Sequence, residues 1–126
     1  MTPPHPIRIA RVYDAPGDAP GARLLIDRLW PRGVAKADLP LNDWPKEATP
    51  GTELRKWFHA NPDRWPEFRR RYLDQLRDNP ESLETTLAWC RKGPVTLLTA
   101  ARDPAHSHAV VLRDHLTDLL TQGAPR

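Results

Sequence analysis

Three short apolar runs and four stretches of helical period divide this chain. Ile7 to Val12 sets Ile7 and Ile9 against Arg8 and Arg11, a loose alternation that predicts a strand at or near a sheet edge. Arg23 to Arg28 has the continuous apolar centre Leu24-Leu25-Ile26 and predicts a second strand, buried on both faces. Val95-Thr96-Leu97-Leu98-Thr99-Ala100 predicts a third strand by the same argument. Thr52 to His59 predicts a short helix. A longer one runs from about Asp63 to Asp78, with Trp65, Phe68, Tyr72 and Leu76 on one stripe and most of its arginines off it. Pro66 would break a helix interior, so its regular part begins there. Pro80 to Lys92 predicts a third helix with Leu83, Leu87 and Cys90 inward, closed by Gly93-Pro94. The last helix starts at Asp103-Pro104, buries Ala109, Leu112, Leu116 and Leu119 or Leu120, and stops at Gln122-Gly123.

The punctuation is rich in proline. Asn61-Pro62, Asn79-Pro80 and Asp103-Pro104 each read as an N-cap followed by the first helical residue, where proline needs no donor. Asp14 to Gly21 carries Pro16, Gly17, Pro20 and Gly21 and predicts a loop. Residues 30 to 52 have no clean period, yet Trp30, Leu39, Leu41 and Trp44 supply apolar anchors. Irregular segments of that length are uncommon unless functional or packed as compact loops. The order of elements predicts an α/β fold: a small, mostly parallel sheet of about three to four strands with helices packed on it. The stretch between Arg28 and Val95 is long enough for a right-handed parallel crossover.

Composition narrows the class. The chain has 126 residues, which fits one domain spanning 1–126 with an ordered core from about 7 to 121. No apolar stretch approaches the roughly 20 residues that span a bilayer, and Met1 to Pro6 lacks the layout of a signal peptide. The expectation is a cytoplasmic protein with no membrane partner, a monomer or homodimer. The single cysteine, Cys90, provides neither an internal disulfide nor a Cys pair for metal. The net charge is only +3, but arginine outnumbers lysine 15 to 4. Guanidinium forks suit carboxylate and phosphate, although a GC-rich genome would also enrich Arg, Pro and Ala.

Candidate chemistry concentrates at two strand exits. Asp27-Arg28-Leu29-Trp30-Pro31-Arg32-Gly33 leaves the second strand as a loop stiffened by Pro and Gly. In a parallel sheet its residues approach Thr99, Arg102, Asp103, His106 and His108 beyond the third strand, on the rim where α/β ligands bind. Arg28 and Arg32, with a helix start nearby, make an anion site. Asp103 capping that helix would compete with an anion, and Asp27 could instead pair with Arg28 or Arg32. Arg55 and His59 lie one helical turn apart and could face the same cleft. His106 at the helix start could transfer protons. His106 and His108 are two apart and lack the His-Glu-x-x-His spacing, so no metal ligands are assigned. No P-loop, Gly-x-Gly-x-x-Gly or Gly-x-Ser-x-Gly is present, which removes the usual support for kinase, dehydrogenase and serine-hydrolase readings.

Arg11-Val12-Tyr13-Asp14, Leu24 to Gly33, Glu53 to Phe58, Arg64-Trp65 through Arg71-Tyr72, and Val95 to Leu112 occur in an order that resembles the YeaO-like family, the domain-of-unknown-function group 488. The resemblance covers roughly residues 7 to 120. It implies a small bacterial α/β domain and brings no assigned activity. The family's motif positions fall on Arg11, Asp27, Arg28, Trp30, Pro31, Arg32, Gly33, Leu54, Arg55, Trp57, Phe58 and Asp103. Members often carry Tyr at the place of Thr99 and Asn at the place of Ser107. More distant relatives look to have Cys-His-Arg near His106-Ser107-His108. This chain has no cysteine there, which leaves a thiol mechanism without its nucleophile.

These features lead to one functional expectation and two alternatives. The first is an arginine-lined cleft that binds a small phosphate- or carboxylate-bearing ligand, with acid–base turnover left open and no cofactor assigned. Arg28, Arg32 and Arg55 would hold the anion, with Thr99 and Asp103 beside it. Trp30 would wall the site. Asp27 would orient an arginine or act on a hydroxyl, and His59 or His106 would move protons. The second reading is a nucleic-acid-binding module built on Arg64, Arg69, Arg70 and Arg71 beside Trp65. The third is a protein-interaction domain marked by exposed tryptophans.

Overall fold

A computed structural model describes residues 5–14 and 21–122. Three strands, β1 (Ile7–Arg11), β2 (Ala22–Leu25) and β3 (Val95–Thr99), form a sheet in the order β1-β3-β2. Both outer strands run parallel to β3, in a register that pairs Arg11 with Thr99 and Leu25 with Leu98. Their carboxyl ends therefore share one rim. The helices are α1 (Thr52–Ala60), α2 (Trp65–Asp78), α3 (Glu84–Lys92) and α4 (His108–Gln122). None is long and apolar enough to cross a membrane. The interior of the predicted loop 14–21, the stop at Gly123 and Met1–Pro4 lie outside the described residues.

Side-chain alternation splits the sheet between two apolar clusters. Ala22, Leu24 and Ile26, with Val95 and Leu97, face a core shared with Phe68, Tyr72 and Leu76 of α2, Cys90 of α3 and Ala109, Leu112 and Leu116 of α4. Leu25 and Leu98 face the other way, against Val12, Leu39, Trp30, Leu41 and Trp44. The second strand is thus buried on both sides, as its continuous apolar centre requires, but helices cover only one of them. The irregular segment 30–44 covers the other.

That segment also closes the open edge of β2. Asn42 N–H donates to Arg23 O at 2.8 Å, and Leu25 N–H donates to Asp43 O at 3.2 Å. The Asn42 side-chain oxygen accepts from Arg23 N–H at 2.8 Å. An edge strand without such cover would present unpaired donors and acceptors. Tryptophans tie the segment down: Trp30 Nε1 donates to Val34 O, Trp44 Nε1 to Asp27 O, and Trp89 Nε1 from α3 to Asp43 Oδ2. The buried Tyr72 hydroxyl donates to Ala48 O and fastens its distal end to α2.

Two of the three Asx-Pro starts behave differently from the expectation. Asn61 Nδ2 donates back to Trp57 O at 2.9 Å, and Asn79 Nδ2 donates back to Gln75 O at 3.2 Å. Both asparagines close the preceding helix, their backbone N–H groups also donating to Phe58 O and Gln75 O; residues 61–64 then lead into α2, and a 3-10 turn, Pro80–Leu83, leads into α3. Asp103 does cap, accepting from Ala105 N–H at 3.2 Å, but the turn it starts is a single 3-10 turn, Pro104–His106. The last helix begins only at His108, where the Ser107 hydroxyl accepts from Ala109 N–H. The second strand likewise ends at Leu25 rather than Arg28, although Ile26 N–H still donates to Leu98 O.

Two glycines hold positive φ, Gly21 at +85° and Gly33 at +77°. A Cβ on Gly21 would lie 2.0 Å from Pro94 O, whereas one on Gly33 meets open space. Gly33→Ala should therefore cost about 1 kcal/mol from backbone conformation alone. Gly21→Ala should cost clearly more, above ~2 kcal/mol, because the β2–β3 entry must also move apart. Urea denaturation of the two variants checks the difference.

Candidate functional site

The site starts from a buried carboxylate. Asp27 lies two residues beyond Leu25, the last paired position of β2, and its side chain turns toward the end of β3. Its Oδ1 accepts from the Thr99 hydroxyl at 2.7 Å, and its Oδ2 accepts from Ala100 N–H at 2.7 Å. His108 Nε2, in the first turn of α4, lies 3.0 Å from Oδ1 and 2.8 Å from Ile26 O. Both neighbours are acceptors, so Nε2 carries a proton and the imidazole is fixed in orientation. Burial alone would push the Asp27 carboxyl up. The hydrogen bond and electrostatic attraction of His108, the Ala100 N–H and the Thr99 hydroxyl outweigh it and hold the group below its usual range.

Asp27 therefore orients a histidine and not an arginine. Of the two roles expected for Asp27, orienting an arginine or acting on a hydroxyl, its contacts depart from the first, and this has a consequence for the guanidiniums. Arg28 donates from Nε to Pro50 O at 3.3 Å, and the Tyr13 hydroxyl donates to Arg32 O. Neither arginine has a described carboxylate within ion-pairing distance, and the same holds for Arg55 and Arg102. Arg55 Nε is buried without a hydrogen-bond partner among the described residues. A buried guanidinium N–H left in that condition is uncommon and calls for an acceptor.

These groups line one cleft of about 820 Å³ over the carboxyl ends of the strands. Asp27, Arg28, Trp30 and Arg32 border it from the loop after β2. Arg55 and His59 border it from one face of α1. Thr99, Asp103 and His106 border it from the segment between β3 and α4, with Arg102 and His108. All nine residues expected at the anion cleft thus border the same cavity, although their environments differ. Thr99 is fully buried and engaged with Asp27, so its hydroxyl is a structural link. Asp103 and His106 hold each other, with His106 Nδ1 2.8 Å from Asp103 Oδ2, and His106 sits in the 3-10 turn rather than at the start of α4. Trp30 binds Val34 O and stands edge-to-face on Trp44, ring centroids 5.6 Å apart. His59 is exposed at the last turn of α1.

A family model described as the inactive DUF488-N3 subclade matches residues 6–125. The uncharacterized protein YeaO of Escherichia coli is 43% identical over 113 residues, covering 90% of this chain and 98% of that protein. Uncharacterized proteins of Mycobacterium bovis (Mb3100c) and Mycobacterium tuberculosis (Rv3073c) are 42% identical over 106 residues, covering 84% of this chain and 89% of theirs. The chain belongs to the YeaO-like DUF488 family. No solved structure matches it.

The YeaO-like motif divides its residues between scaffold and cleft. Gly33 supplies a positive φ, Pro31 is buried, and Trp30 packs in the second apolar cluster. Arg28, Arg32 and Arg55 line the cavity with no ion-pair partner among the described residues. His108 lies on the rim where the sequence places it, but no role is assigned to it there, because a two-residue histidine spacing gives no common helical face. The one signal was its place next to a helix start on the same rim as Asp27.

The other two arginine and tryptophan readings lose ground. Arg64 and Arg71 both reach Glu67, and Arg70 lies 3.7 Å from Asp74, all on α2. Trp65 packs between Phe58, Phe68 and His106 instead of standing free to stack a base. The five tryptophans are all part-buried, so the expected exposed tryptophan surface is absent.

Because folding lowers the Asp27 pKa, its charge stabilises the fold wherever the carboxylate is ionised in both states. That contribution is complete at neutral pH and is lost as pH falls below 3.8 and through the lower folded value. Asp27→Asn should cost about 1–3 kcal/mol at pH 7 through the mispaired donors. The gap between wild type and variant in urea denaturation should shrink when the pH is taken toward 3.

Proposed function

We propose that this protein binds a small phosphate- or carboxylate-bearing ligand in the cleft between the β2 exit, α1 and the β3–α4 connection. The observation that carries the reading is the set of cleft arginines, Arg28, Arg32, Arg55 and Arg102, without carboxylate partners, one of them with an orphaned buried Nε. Of the other described arginines, Arg11, Arg64, Arg70, Arg71 and Arg113 have acidic neighbours, whereas Arg8, Arg23, Arg69, Arg77 and Arg91 have none within ion-pairing distance among the described residues, and Arg23 Nε is also buried without a partner; what sets the cleft apart is that four such guanidiniums border one cavity. The two acidic groups in the cleft are both occupied by histidines, Asp27 by His108 and Asp103 by His106. An arriving anion would meet guanidinium donors that internal ion pairs have not consumed. Each charge-assisted bond formed there is worth roughly 1.5–3 kcal/mol net.

The proposed role stops at binding. His108 commits Nε2 to Ile26 O and Asp27, while His106 is oriented by Asp103 through Nδ1 and presents Nε2 to the cleft side chains around it. The matched subclade's description as inactive agrees with that reading.

Titration of inorganic phosphate into isotope-labelled protein at constant ionic strength should shift the amides of Arg28, Arg55 and Arg102. Arg28→Ala and Arg55→Ala should each weaken the interaction about tenfold or more. Arg70→Ala should leave it within about twofold. A nucleic-acid module would show the reverse: dependence on Arg69 and Arg70, and duplex binding that collapses between about 50 and 200 mM salt.

A further inference from the structure

We infer that the anion taken by this cleft is a phosphomonoester carried on a flat aromatic body. The inference rests on the anion-binding reading above and adds what else the ligand must contain. Volume is the first reason. A cavity of about 820 Å³ is in the range of sites that enclose whole organic molecules, far larger than a bare phosphate or a short carboxylate needs.

Charge is the second reason. The four unpaired guanidiniums exceed the two cleft carboxylates by two, before any histidine is counted. A dianionic phosphomonoester balances that excess with a single group. A lone carboxylate balances half of it.

The distribution of exposed apolar groups is the third and independent reason. Two large hydrophobic side chains are strongly exposed among the described residues, Leu29 at 62% and Tyr13 at 51%. Both stand on this cleft, next to Arg28 and Arg32. Tyr13 is held there by its hydroxyl on Arg32 O, and the Arg11 guanidinium lies 5.6 Å from its ring centroid. Exposed apolar groups gathered beside a charged pocket mark a surface that is covered in the bound state. With Tyr13, the rings of His59 and His106 make the rim flat rather than branched, which suits a planar partner. Leu29 supplies the apolar contact beneath it.

Two sources share this chemistry, a nucleoside monophosphate and a simple aryl phosphate. Calorimetric titration should compare adenosine 5′-monophosphate, phenyl phosphate, ribose 5-phosphate and inorganic phosphate at one ionic strength. The expected result is that at least one aromatic ester binds tenfold or more tightly than ribose 5-phosphate, and the aromatic that does so identifies the source. Leu29→Ser should weaken that aromatic ester about fivefold and leave inorganic phosphate within about twofold, whereas Tyr13→Ala, which also releases Arg32 O, should weaken the aromatic ester more than it weakens phosphate. Arg55→Ala should weaken all the bound anions together. If ribose 5-phosphate binds within threefold of both aromatics, the aromatic-body inference is overturned and the anion site stands. If none of the four binds, both fall.

Discussion

The Asp27 carboxylate is the point on which the rest of this structure depends. It joins the exit of β2 to the end of β3 through Thr99 and Ala100, and it joins both to the start of α4 through His108. One side chain fixes two later segments, some 70 to 80 residues further along the chain, to the exit of β2. A buried carboxylate is costly unless its oxygens are satisfied. Here a hydroxyl, a backbone N–H and an imidazole N–H satisfy them, and the anion is held in its charged form. The cleft inherits its shape from that anchor, because all three segments form its floor and wall.

The anchor also sets the electrostatics. Had Asp27 reached Arg28 or Arg32, that guanidinium would already hold a counterion and its donors would be less available to an incoming anion. Histidines take both cleft carboxylates, and the guanidiniums are left over. An excess of positive charge over a concave surface raises the local concentration of anions. The scaffold supports that arrangement from behind. The segment 30–44 seals one sheet face and the edge of β2, and its tryptophan hydrogen bonds hold the loop from which Arg28 and Arg32 project.

Much of this was legible in the chain. Continuous apolar centres at Leu24-Leu25-Ile26 and Leu97-Leu98 required strands covered on both faces, and the stripe Trp65, Phe68, Tyr72, Leu76 required a helix on one of them. The strand exits 27–32 and 99–108 had to meet once the sheet was parallel. Three features were not legible. The cover on the second sheet face comes from an aperiodic segment, whose contacts depend on tryptophan N–H groups meeting distant carbonyls. Asn61 and Asn79 can cap forward or backward, and the residue type alone does not distinguish an amide that donates to the carbonyl four residues back from one that accepts from the turn ahead. The partner of Asp27 was a choice among nearby cations and histidines. Burial next to α4 selected His108, which sequence spacing could not reveal.

A crystal structure grown in phosphate tests the central claim most directly. The account predicts an ordered anion in contact with Arg28 or Arg55, with Asp27 still bound to Thr99, Ala100 and His108. Guanidiniums turned away from an empty cleft, or Asp27 paired with Arg28 or Arg32, would contradict it.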